Sequence, residues 1–135
     1  MPKVNLEDVT IHYEDIGQGN TAFVFCHGLG GAGRDEFIRE IPSWKKHFER
    51  VLIWDARGLG DSSQASKYSL PLYAGDLARL MNTLAIRNAI LFGYLWGGVL
   101  TLQFALDYPE LCAGIILDSS ASEVNVVASE VWYQR

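Results

Sequence analysis

LFGYLWGGVL occupies residues 91–100. An apolar run ends on Gly93, and Gly97 and Gly98 open a second apolar stretch with helical spacing. A buried strand that turns on glycines into a helix is the crossover unit of a parallel sheet. Leu95 stands at the centre of the turn. In such sheets ligands collect at the carboxyl ends of the strands, so the residue at this point decides what the turn can do.

The same alternation extends outward in both directions. Downstream, WGGVLTLQFALDYPE (96–110) reads as a helix apolar nearly all round, stopped by Pro109, and CAGIILDSS (112–120) as a buried strand. Upstream, AFVFCHG (22–28), VLIWDARG (51–58) and NAILFG (88–93) are short apolar runs of the kind buried on both faces. Between the last two, SLPLYAGDLARLMNTLAI (69–86) has Ser69 as a cap, Pro71 in the first turn, and Leu77, Leu80, Met81 and Leu84 on one stripe. RDEFIREIPSWKKHF (34–48) predicts a helix kinked or broken at Pro42. VNLEDVTIHYEDIG (4–17) alternates as one or two strands with a solvated face, closed by Gly17 and Gly19. The expected fold is α/β: one domain over residues 1–135, about six strands in a mostly parallel sheet, helices on its faces, right-handed crossovers.

Composition narrows the function. The 135 residues are 49% hydrophobic and 20% charged, with a net charge of −5. An acidic chain without a basic stripe argues against nucleic acid and anionic membranes as partners. No apolar run reaches the roughly 20 residues of a membrane span, and the first residues lack a signal-peptide pattern. Cys26 and Cys112 lie in apolar runs and are expected as buried free thiols, which fits a cytoplasmic location. No His/Cys/carboxylate spacing predicts a metal site.

Four strand ends carry site-like residues: His27 and Gly28, Asp55 to Gly60, Gly93 to Gly98, and Asp118 to Ser120. Taken alone, Gly28-x-Gly30-x-x-Gly33, with Asp55 roughly 20 residues on, fits a dinucleotide-binding fingerprint. That reading gives no role to His27 or to the turn at 93–98.

Taken together, the segments resemble another family. His27-Gly28-Leu29-Gly30 resembles the H-G-x-G oxyanion loop of the α/β-hydrolases. Asp55-Ala56-Arg57-Gly58-Leu59-Gly60-Asp61-Ser62 resembles the segment that follows the next strand there, and Gly93-Tyr94-Leu95-Trp96-Gly97-Gly98 the nucleophile elbow with leucine in place of serine. The resemblance implies a parent reaction of acyl transfer to water without a cofactor, on a carboxylic ester, lactone or C–C substrate. It implies oxyanion donors at the backbone amides of Leu29 and Trp96, and Asp118 as a possible acid.

The family's cap, later strands, catalytic histidine and, in most members, its acid follow the region matched. The chain therefore resembles a truncated, N-terminal half, with 122–135 as the start of a cap helix. Leu95 cannot form an acyl-enzyme, so the expectation is an inactive chain. Two alternatives stand beside it: a non-catalytic module binding an ester-like small molecule or a partner, and the dinucleotide domain. His12 and His47 are expected at the surface and His27 as a brace of its turn. Asp55 and Arg57 are expected to shape their own loop, and Ser119 and Ser120 to lack a base. Self-association is expected through the strand from Cys112 to Ser120, or through a tail helix around Val124 to Trp132.

Overall fold

The structure is a computed structural model, and it describes residues 2–29 and 33–121. Gly30 and the expected cap helix at 122–135 lie outside the described residues.

Six strands form one sheet: β1 Lys3–Asn5, β2 Thr10–Gly17, β3 Thr21–Cys26, β4 Arg50–Trp54, β5 Asn88–Tyr94 and β6 Cys112–Asp118. Their order is β1-β2-β4-β3-β5-β6. β2 pairs antiparallel with β1 and β4, and every pair from β4 to β6 is parallel. The sheet is α/β and mostly parallel, as the alternating runs predict.

Among the described residues four α-helices connect the strands: α1 Gly33–Glu36, α2 Ile41–His47, α3 Leu70–Thr83 and α4 Trp96–Asp107. The stretch expected to kink at Pro42 is broken, and Pro42 sits in the first turn of α2, where its missing N–H costs nothing. Ser69 caps α3 by accepting the Leu72 N–H at 3.2 Å.

Strand alternation divides the core. Ala22, Val24 and Cys26 of β3 face α3 and α4, packing with Leu77, Leu80, Met81, Leu100 and Phe104. Phe23 faces the other side, stacked on Phe48 with ring centroids 4.5 Å apart and joined by Ile41, Val51 and Ile53. No helix among the described residues is long and apolar enough to cross a membrane.

Two burial expectations fail. β6 reads as a buried strand, yet Ile115, Ile116 and Leu117 are 38%, 44% and 43% exposed. Among the described residues β6 is an edge strand, paired only to β5. A helix apolar nearly all round is expected to be covered on several sides, yet α4 is covered on one: Leu100, Thr101 and Phe104 are buried, while Leu106 is 78% exposed. An apolar run reports how well a segment tolerates burial, and only the neighbours decide whether burial happens.

Candidate functional site

The centre of the site is the turn between β5 and α4. Leu95 has φ 52° and ψ −119°, a left-handed backbone that L side chains rarely adopt. Its N–H donates to the Asp118 carbonyl at 3.1 Å, and its own carbonyl accepts the Gly98 N–H at 3.0 Å. The side chain is 45% exposed.

Glycine is demanded here by contact. A Cβ on Gly97 would lie 1.9 Å from the Cys26 carbonyl oxygen, and one on Gly93 would lie 2.5 Å from the Gly98 Cα. The start of α4 therefore presses directly on the ends of β3 and β5. Cys26 pairs with Gly93 in the β3–β5 register, and Leu29 and Trp96 each follow three residues later. Leu29 is exposed, and Trp96 is half-buried, edge-on to Tyr73 with centroids 4.8 Å apart. The Trp96 amide is one of the first N–H groups of α4, which have no partner within the helix.

His27 braces the neighbouring loop. Its Nε2 accepts the Ala56 N–H at 3.1 Å, which leaves Nδ1–H to donate to the Gly28 carbonyl at 2.7 Å. Glu36 of α1, which the sequence reading passed over, accepts the Gly28 N–H on Oε2 at 2.8 Å. Glu36 also lies beside the Leu95 side chain, since a Cβ on Gly28 would meet Glu36 Oε1 at 3.1 Å and Leu95 Cβ at 3.5 Å.

Asp55 shapes its own loop as expected, and both Asp55 and Arg57 also reach beyond it. Asp55 accepts the Gly33 N–H on Oδ1 at 2.8 Å and the Asp61 N–H on Oδ2 at 3.0 Å. Its third partner is His12, expected at the surface but buried, with Nδ1 2.7 Å from Asp55 Oδ2. The antiparallel pairing of β2 and β4 brings the two together across 43 residues of sequence, a proximity no local pattern carries. Arg57 is buried and makes two bonds of 2.7 Å to the Asp76 carboxylate of α3, one of 3.0 Å to Asp8, and one of 2.9 Å to the Lys67 carbonyl. Asp76 holds the Arg57 guanidinium above its usual range. Arg79 shares both acids, at 2.7 Å to Asp76 and 3.1 Å to Asp8, and the two arginines pull the Asp8 carboxyl below its ordinary value.

His12, Asp55 and Asp61 each bring one ligand atom within 4.8 Å of the others, a grouping the sequence spacing did not reveal. His12 and Asp55 are already bonded to each other, so a cation there would have to compete with that bond.

The remaining candidates are more distant from chemistry. The Asp118 carboxylate is half-buried and accepts the Ser119 hydroxyl at 3.1 Å. Cys26 is buried beside Trp54 and Thr101, and burial pushes its thiol up to about 11. Cys112 is half-buried, less enclosed than expected, because β6 lies at the edge. His47 is exposed on α2, as expected.

A family model described as alpha/beta hydrolase fold matches residues 21–135. A 2-hydroxy-6-oxononadienedioate/2-hydroxy-6-oxononatrienedioate hydrolase of Burkholderia vietnamiensis is 35% identical over 114 residues, 82% of this chain and 40% of that protein. Bifunctional epoxide hydrolase 2 of Sus scrofa is 34% identical over 105 residues, 76% of this chain and 19% of that protein. The chain thus spans less than half the length of both relatives. Among solved structures, Est816, described as an N-acyl homoserine lactone degrading enzyme, superposes with a TM-score of 0.81 at 26% identity, covering 98% of this chain and 52% of that one. MGS-M2, from a deep-sea metagenome library, shares the fold with a TM-score of 0.90 at 19% identity, covering 98% of this chain and 49% of that one.

Proposed function

This chain belongs to the alpha/beta hydrolase fold family, and from that membership we propose that it corresponds to the N-terminal portion of an ester, lactone or C–C bond hydrolase that binds carbonyl compounds without turning them over. The observation that carries the reading is Leu95 at φ 52°, on a strand-to-helix turn whose glycines admit no side chain. That backbone is the one a hydrolase uses to present a nucleophile at the mouth of its sheet. Leucine keeps the shape and removes the reaction, because it has neither a lone pair to attack nor a proton to lose.

What the turn retains is a means of binding. In this reading the amides of Leu29 and Trp96 receive a ligand's carbonyl oxygen, and neither donor depends on the side chain at 95. The three histidines offer no general base. His12 is engaged by Asp55, and His27 spends both ring nitrogens on backbone groups. His47 stands exposed on α2. Asp118, at the end of β6, bonds to Ser119 and to none of these three histidines.

The test is a pre-steady-state assay of the 135-residue chain with an activated ester such as p-nitrophenyl acetate. The expected trace follows the uncatalysed background, with no burst. A burst stoichiometric with protein, or stoichiometric labelling of any residue of the chain by a serine-directed phosphonate, refutes the reading.

A further inference from the structure

The carboxylate of Glu36 has one oxygen committed and one oxygen close to the Leu95 side chain. Oε2 accepts the Gly28 N–H at 2.8 Å, while Oε1 has no hydrogen bond among the described residues. That oxygen and the Leu95 side chain flank the same point beside Gly28. Phe37, the next residue, is anchored against Phe25 and Tyr94 with centroids 5.1 and 4.9 Å apart, so the chain carrying Glu36 is held in place. The backbone bond and the aromatic anchor together fix a negative charge at the edge of the carbonyl-binding turn.

We propose that Glu36 makes the carbonyl-binding turn at Leu95 selective for esters or lactones that carry a positively charged group, such as an ammonium, over neutral and carboxylate-bearing analogues. This rests on the carbonyl-binding reading above. A carboxylate whose position is already determined attracts a cation without first having to be ordered, and it repels an anion by the same field. Glu36 is half-buried, so the field is partly screened by solvent and weakens further with salt. The preference for cation over neutral isostere is about two- to fivefold in affinity, the scale of a partly exposed charge pair.

The experiment compares three ligands on the 135-residue chain by calorimetry or competition: butyrylcholine, its uncharged isostere 3,3-dimethylbutyl butyrate, and an ester of similar length ending in a carboxylate. Butyrylcholine is expected to bind most tightly and the carboxylate most weakly, with the cation preference fading in about 0.5 M salt. Glu36→Gln keeps an oxygen for the Gly28 N–H and removes the charge, so it brings the two butyrate esters to equal affinity. The salt titration needs no variant and tests the same point if Glu36→Gln folds poorly. Equal binding of the two butyrate esters by the unaltered chain overturns this inference alone. Failure of all three ligands to bind overturns the carbonyl-binding reading and this inference with it.

Discussion

At Leu95 the backbone holds a branched side chain at φ 52° and ψ −119°. Such a conformation costs about 1–3 kcal/mol, and glycine adopts it nearly freely. The Leu95 side chain is 45% exposed, so removing it gives up about half of a leucine's burial, roughly 1 kcal/mol. That loss and glycine's greater freedom when unfolded offset the strain relieved, so Leu95→Gly is expected to leave stability within about 1 kcal/mol of the unaltered chain. A urea melt reads this as a nearly unchanged midpoint, and a loss of about 2 kcal/mol or more would mean that no strain was relieved. Leu95→Ser restores a hydroxyl but no base to deprotonate it, since His12 and His27 are bound elsewhere. No saturable ester hydrolysis is expected from that variant, and sustained turnover would show that a base had been overlooked. The strained turn was legible from three glycines at a fixed spacing. Glu36 was not, because its bond to Gly28 joins two residues eight apart that share no periodic element.

The elements were legible because their spacing follows from burial. Short apolar runs gave β3, β4 and β5, and a capped stripe gave α3. What joins the elements was hidden, since buried ion pairs leave no periodicity. Arg57 and Asp76 lie 19 residues apart, on a loop and a helix, and look like ordinary surface charges until both are seen buried. Asp8 extends this pair to the turn between β1 and β2, and its carboxyl lies below the usual range because Arg79 and Arg57 donate to it. Its contribution to stability is present above the unfolded value of about 3.9 and is lost as pH falls through the lower folded value. Asp8 is half exposed, so the effect is modest. Urea melts below pH 4 are expected to show the difference between the unaltered chain and Asp8→Asn shrinking as pH drops. A difference that stays constant there would mean that the pairing contributes nothing.

Across the whole molecule, the sheet has unequal edges. β1 is short and polar, whereas β6 exposes Ile115, Ile116 and Leu117 and pairs only with β5 among the described residues. An apolar edge with open N–H and C=O groups is a template for another strand. The 135-residue chain is expected to self-associate through β6, with Ile116→Lys weakening association more than a new charge near Lys45 on α2. Sedimentation velocity measures this directly, and a folded monomer at high micromolar concentration counts against it. The strand order has a further consequence, in time. β3 lies between β4 and β5, and its register joins Cys26 to Gly93, so its second neighbour is made long after its first. At a synthesis rate of about 5–20 residues per second, roughly 2–8 seconds pass between the completion of β4 and that of β5. Throughout that interval the most apolar strand of the sheet has one side unpaired, and a growing chain on the ribosome must keep Phe23 and Phe25 from finding the wrong neighbour.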